Sequence, residues 1–245
     1  MAAGDARAQV AQKILEAALA RVTDPPGTNR VRVEDYVTAV AAVTGEAAIV
    51  AAGIDIEALD IAPGAALFGD QINQILTGDT ADLDKVPADT IVGLLVASLV
   101  PDVVPLADFG SLEDLYRSVA AHVGDQEWGT VYVSVGADHA PTIPPIRLAF
   151  ELRPVVAAAC AEAGIAPAQR HQPCALALAN ALDQVKEAID IKVGLRLALE
   201  VVFGMAKMAP MSRRAFAAVA GPDAAKPATS AGYMPIGTLH GRQGE

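Results

Sequence analysis

The chain is poor in the residues that build a disulfide framework or an aromatic core. It contains two cysteines, Cys160 and Cys174, and aromatic residues make up 4% of its 245 residues. Two cysteines cannot form the several bridges that hold small secreted domains together. Because hydrophobic residues nevertheless make up 53% of the chain, its core must be built from alanine and aliphatic side chains.

Basic residues are also few. Lysine and arginine number 18 against 29 acidic residues, which gives a net charge of −11 and a calculated pI near 4.7. This balance argues against a nucleic-acid partner or an anionic membrane surface. The deficit is local, because residues 54–114 hold twelve acids and only one base, Lys85. We interpret these residues as a solvated acidic surface, since their spacing lacks the pattern of a calcium-binding EF-hand loop.

Long hydrophobic runs are absent as well. The apolar segment Thr90–Pro101 has 12 residues, whereas a membrane-spanning helix needs about 20. The first residues lack the apolar region of a secretory signal. The mean hydropathy of +0.35 therefore reflects alanine and valine, and we expect a soluble, cytoplasmic protein without a membrane span.

Apolar residues recur at helical spacing through most of the chain. We predict a mainly α-helical, bundle-like single domain over residues 1–220. The segment 191–208 is apolar on nearly all sides, which predicts a central helix. The predicted helices are 6–23, 34–52 with a break at Gly45, 71–76, 90–100, 111–123, 154–163, 178–189, 191–208 and 212–219. Asp89, Ser111 and Asp190 are the predicted N-terminal caps of the helices that follow them.

Two other segments alternate between apolar and polar residues, as half-buried strands do. They are residues 130–135 and 146–153, and the connection between them, residues 136–145, contains three prolines. We predict a small β-hairpin inserted in the helical domain. A helix that begins at Pro145 is the alternative for the second segment.

The sequence contains no Walker loop, dinucleotide fingerprint, nucleophile elbow or zincin motif. Four residues are candidates for a pocket: Asp138, which could orient the adjacent His139, and His171 and Cys174, whose spacing suits two metal ligands. Zinc requires three or four ligands, and no second such pair is present, so we predict no metal site. Catalytic residues and cofactor stay unassigned. The competing interpretation is a loop histidine and a buried thiol with structural roles.

The composition changes after Ala220. Residues 221–232 are small and include two prolines, as in a flexible linker, and Tyr233–Arg242 then forms a compact apolar motif. Short extended segments of this kind are typically captured by apolar grooves. We predict that residues 221–245 are a linker followed by a docking tail.

The motif resembles the C-terminal cargo-loading peptides of proteins packaged in encapsulin nanocompartments. Those peptides follow a flexible linker and centre on an aliphatic residue, Gly, Ser, Leu and a basic residue. Ile236, Gly237 and Leu239 match this pattern, whereas Thr238 replaces Ser and His240 stands in the basic position. The resemblance covers about ten residues and implies an encapsulin-type shell as the partner. Residues 1–220 resemble no family and show neither a peroxidase haem motif nor a ferritin Glu-x-x-His pair.

Two hypotheses follow for the function. The first is a binding or assembly protein of unknown ligand, docked to a larger partner by its tail and forming a homo-oligomer or stable hetero-complex. The alternative is a metal- or cofactor-dependent enzyme whose pocket draws on the four candidate residues. They differ in whether those residues converge in the fold.

Overall fold

Helices account for most of the residues that the computed structural model describes, which are 3–23, 30–122 and 131–220. Short 3-10 turns and irregular loops connect them. The mainly α-helical bundle predicted from the periodicity is confirmed. The helices in the described ranges are α1 (Ala3–Val22), α2 (Val33–Ala51), α3 (Asp70–Thr77), α4 (Ile91–Leu99), α5 (Leu112–Ala121), α6 (Pro145–Glu162), α7 (His171–Val185), α8 (Ile191–Ala206) and α9 (Arg213–Ala220).

Helices α2 and α8 form the centre of the bundle. The run Asp35–Ile49 of α2 and the run Leu197–Ala206 of α8 are buried without a break. Both helices are apolar on nearly all sides because neighbouring helices cover them all round: α1, α6 and α7 pack on α2, which itself packs on α8. The central position predicted for residues 191–208 is thus confirmed.

The predicted break at Gly45 is wrong, because α2 continues through this residue. A Cβ atom at position 45 would lie 2.5 Å from the carbonyl oxygen of Val202 and 2.8 Å from Cβ of Met205. The missing side chain lets the backbones of α2 and α8 approach each other closely. Gly45 therefore serves helix packing rather than helix termination.

The predicted strand 146–153 is also wrong, because these residues lie inside α6. Leu148 and Leu152 belong to the alternating pattern, but they are also four residues apart, and the buried stripe continues at Val156 and Cys160. Positions four apart share one face of a helix. The buried stripe at this spacing is longer than the alternating segment, and it therefore favours a helix over a strand. The alternative of a helix from Pro145 is correct, and Pro154 lies within this helix on its exposed side.

The described part of the other predicted strand, residues 131–135, has no regular secondary structure. Its odd-numbered residues are partly buried and its even-numbered residues exposed, so the alternation itself is real. The segment lies along α8. A Cβ atom at Gly204 would meet Cγ1 of Val131 at 2.8 Å, and the backbone N–H of Ser134 donates to Glu200 at 2.7 Å. We call residues 131–135 the strap; its supporting surface is a helix, not a second strand.

Helix-capping residues identified in the sequence are partly confirmed. The Ser111 hydroxyl accepts a hydrogen bond from Asp114 N–H at the start of α5, and the Asp190 carboxylate accepts from Lys192 N–H at the start of α8. At α4 the cap is Thr90, whose hydroxyl accepts from Gly93 N–H, and not the preceding Asp89. These side chains satisfy backbone donors that have no partner within the helix.

The chain divides into two units. The first, Met1–Ser212, contains α1–α8, and the second begins at Arg213 with α9. The predicted docking tail, residues 221–245, lies outside the described residues. Among the described helices, none combines the length and the hydropathy needed to cross a membrane.

Candidate functional site

The candidate pair Asp138 and His139 lies in a 3-10 turn that docks on the start of α2. His139 Nδ1 lies 2.9 Å from Glu34 Oε1, and Arg32 Nη2 donates to the backbone carbonyl of Asp138 at 2.7 Å. Burial opposes ionisation of Glu34, but the hydrogen bond from His139 and the charge of Arg32 bring the pKa of Glu34 below its ordinary value. His139 is therefore oriented by Glu34 and not by the neighbouring Asp138.

The rest of this loop is held by the next residue of α2. Asp35 accepts hydrogen bonds from the backbone N–H and the hydroxyl of Thr142, at 2.7 Å and 2.5 Å, and a longer one from Ile143 N–H. Asp35 is 4% exposed, so these donors satisfy a buried carboxylate. The contacts around His139 thus clamp a loop on a helix.

His171 and Cys174 lie in the first turn of α7, within the core. His171 is 5% exposed, and its Nε2 lies 2.9 Å from the carbonyl oxygen of Asp89. Burial lowers the pKa of His171, although the nearby carbonyls of Asp89 and Ala168 partly oppose this effect. Its Nδ1 is buried without a hydrogen bond of ordinary geometry to a described residue.

Cys174 is fully buried. Burial raises the pKa of this thiol well above its ordinary value, and the nearby thiol of Cys160 adds to the rise. The structure thus brings Cys160 to Cys174, while both remain free thiols. A thiol with a raised pKa is a poor nucleophile and metal ligand at neutral pH.

The two candidate pairs lie at different ends of the packed helices α2 and α7. Tyr36 donates its hydroxyl hydrogen to Gln184 at 3.0 Å, and Thr44 donates to the carbonyl oxygen of Cys174 at 3.1 Å. Helices α2 and α7 are therefore antiparallel. Glu34, the partner of His139, precedes Thr44 by ten residues, or about 15 Å of helix. The four candidates do not converge on one pocket.

The described residues contain no cluster of three or more His, Cys, Asp or Glu side chains that could hold a metal ion. In the acidic segment, Asp82 accepts from the backbone N–H of Asp84 and forms an ion pair with Lys85. These contacts stabilise a surface 3-10 turn. Their geometry agrees with a solvated acidic surface.

A shallow cleft lies between α2 and α6, which we call the α2–α6 cleft. Its empty space, including the open side, measures about 270 Å³. Aliphatic side chains form most of its walls, and three charged side chains lie among them. The lining residues are Val43, Glu46, Ala47, Val50, Arg153, Val156, Ala157 and Arg170.

A buried ion pair forms part of the α2–α6 cleft. Arg153 donates to Glu46 through Nε at 2.6 Å and through Nη2 at 2.7 Å, and its Nη1 lies 3.3 Å from Glu57 Oε1. Burial alone would lower the pKa of Arg153, but the hydrogen bonds and negative charges of Glu46 and Glu57 raise it. The bidentate geometry fixes both side chains and leaves this arginine fully neutralised.

Arg170 is the other cation of the α2–α6 cleft. Its Nε is buried without a hydrogen-bond partner among the described residues, and no ion pair joins it to a described acidic side chain. Burial raises the pKa of Cys160 and of Cys174, and the charge of Arg170 partly opposes the rise at both thiols. The guanidinium therefore lies within electrostatic range of the core.

A second cleft, the α8 cleft, opens beside the strap and measures about 300 Å³ with its open side. The rings of His122 and Tyr132 stack at its edge, with centroids 3.8 Å apart. Glu200 contributes a carboxylate that accepts from Ser134 N–H and Oγ–H and from Arg196 Nε, at 2.6–2.7 Å. These bonds already satisfy the acid, and they attach the strap to α8.

Glu46, Glu200 and Arg170 are not among the candidate residues predicted from the sequence. For the two acids a signal exists, because each lies in a mostly apolar stretch in the interior of its helix. A buried charge requires a partner, so a lone acid in a central helix predicts an arginine or lysine against it. Arg170 carries no comparable local signal, because the segment around it is polar.

The tail residues Ile236, Gly237 and Leu239 lie outside the described residues. Comparison of the chain with protein-family models, with curated proteins and with solved structures finds no match.

Proposed function

We propose that this chain is an α-helical binding or assembly protein that docks on a larger protein partner through residues 221–245. The motif Tyr233–Arg242 supports this proposal, because Ile236, Gly237 and Leu239 match the pattern of encapsulin cargo-loading peptides. The partner we propose is accordingly a shell of the encapsulin type.

The tail has the composition that docking requires. Ile236 and Leu239 supply apolar contact area, and Gly237 between them allows close approach of the backbone to a groove. One such peptide binds weakly because it loses conformational entropy on ordering. Several tails on one oligomer, facing a repetitive shell, would bind more tightly through avidity alone.

The alternative, a metal- or cofactor-dependent enzyme, requires the four candidate residues to form one pocket. Asp138 and His139 lie at the start of α2, whereas His171 and Cys174 lie in the core at the start of α7. The imidazole of His139 contacts Glu34, and that of His171 contacts the Asp89 carbonyl. These contacts explain both histidines as structural residues.

The proposal is tested by co-expression of the full chain with an encapsulin-type shell protein of its native host. The measurement is the fraction of the chain that co-elutes with the assembled shell. We expect the double variant Ile236→Ala, Leu239→Ala to lose co-elution, because the apolar contacts are removed. The matched control in the linker, Lys226→Ala with Thr229→Ala, should be retained like the wild type.

Two further variants sharpen the test. Thr238→Ser with His240→Arg restores the family pattern, and we expect it to increase the retained fraction. Deletion of residues 221–245 should abolish co-elution and leave the melting temperature nearly unchanged. Retention of the truncated chain by the shell would refute the proposal, as would unfolding of the body on truncation.

A further inference from the structure

The α2–α6 cleft combines aliphatic walls with a cation whose charge no described residue neutralises. Val43, Ala47 and Val50 of α2 face this space together with Val156 and Ala157 of α6. Such walls offer no hydrogen bonds, so they favour a hydrocarbon group over a polar one.

The charged groups of the cleft are not equivalent. Glu46 holds two nitrogens of Arg153 at 2.6 Å and 2.7 Å, and Glu57 lies near the third. All three guanidinium nitrogens of Arg153 therefore already have acidic partners. Arg170 forms no ion pair with a described acidic side chain, and its buried Nε–H has no acceptor among the described residues. A buried donor without an acceptor is unfavourable and rare in folded proteins, and an anion in the cleft would supply the missing acceptor.

We propose that the α2–α6 cleft binds a small aliphatic monocarboxylate, with its carboxylate on Arg170 and its alkyl group against the valine and alanine walls. A single free guanidinium matches a single negative charge. The bidentate pair Glu46–Arg153 leaves no second free cation among the described residues of the cleft, so a dianion such as phosphate would keep one uncompensated charge. The cleft is shallow and open on one side, so its walls can contact only a short alkyl group.

The proposed site is independent of the docking tail, because all of its residues belong to the helical body. A ligand of this size makes few contacts, so we expect a dissociation constant on the order of 1 mM. Binding of this strength suits a metabolite present at high concentration rather than a permanently bound cofactor.

The experiment titrates the full chain with isovalerate, while methyl resonances of valine are followed by NMR. Two probes serve as ligand controls: isopentanol has the same alkyl group without the charge, and inorganic phosphate has charge without the alkyl group. We expect isovalerate to shift the resonances of Val43, Val50 and Val156, and to bind at least tenfold more tightly than either control.

Two substitutions test the two parts of the site separately. Arg170→Gln removes the charge and should weaken isovalerate binding at least tenfold, whereas Arg147→Gln, on an exposed part of α6, should leave it unchanged. Ala157→Leu fills the cleft and should abolish binding while Arg170 stays in place. Melting temperatures show that each variant is folded.

Several results would overturn the proposal. Isovalerate could bind no more tightly than isopentanol, or phosphate could bind better. The Arg170→Gln protein could retain wild-type affinity, or the shifts could map away from the three valines. If Arg170→Gln does not fold, full affinity in the Ala157→Leu variant would refute the site by itself. Loss of shell docking would leave these results unaffected.

Discussion

Several ionisable side chains are buried in the helical body, among them one histidine and two acids of the central helices. His171, Glu46 and Glu200 are 5%, 4% and 2% exposed. Burial disfavours a charged group unless a partner compensates for the lost hydration. The two acids have this compensation from Arg153 and Arg196, whereas the histidine avoids the cost by remaining neutral.

At the residue scale we expect stability to fall as the pH is lowered through 6.5, the ordinary pKa of histidine. Burial keeps the pKa of His171 lower in the folded state, so the unfolded chain binds the proton first. The loss continues until the pH reaches the lowered pKa. His171→Gln cannot titrate and should reduce this slope. Urea unfolding between pH 8 and pH 5, in both proteins, measures the difference; parallel curves would contradict the expectation.

The pair Glu46–Arg153 gives a second prediction at this scale. Arg153→Met leaves a buried carboxylate unpaired and should lower the free energy of unfolding by about 3–5 kcal/mol. The double variant Glu46→Gln, Arg153→Met removes both charges and should recover much of the loss. Arg117→Met breaks exposed ion pairs and should cost less than about 1 kcal/mol. Equal losses in Arg153→Met and Arg117→Met would contradict the burial argument.

At the element scale, the packing of α2 on α8 depends on Gly45. Alanine there would place its Cβ 2.5 Å from a carbonyl oxygen of α8, so one backbone must move. We expect Gly45→Ala to destabilise the protein by about 1–3 kcal/mol, despite the better helix propensity of alanine. At Gly194 of α8 the nearest atom would be 3.5 Å from the new Cβ. Gly194→Ala should therefore be neutral or stabilising, and chemical denaturation of both variants distinguishes the sites.

At the scale of the whole molecule, we expect a homo-oligomer or a stable hetero-complex. Phe68 and Tyr132 expose 59% and 45% of their surface, although the chain has few aromatic residues. Exposed apolar side chains are common at interfaces. Light scattering at micromolar concentration measures the mass. A monomer from which the native host yields no bound protein would contradict the expectation.

Local patterns were enough to predict the helical bundle and the central position of α8. The caps Ser111 and Asp190 could be read from the sequence because each bonds a backbone group within three residues. The helical spacing of apolar residues is also a local pattern, because it involves residues three and four positions apart in the sequence. The tail motif was also found at this level, because it is a short linear pattern.

Only the tertiary structure decided what lies against each helix. The alternation of apolar and polar residues in the strap could be predicted from the sequence. Its packing on α8 could not, because no local pattern indicates which element lies against it. Glu46 and Arg153 are 107 positions apart, and the separation of His139 from His171 follows from the antiparallel packing of α2 and α7. The physical reason is that periodicity fixes which face of an element is buried, whereas the partner of that face depends on how all the elements pack together.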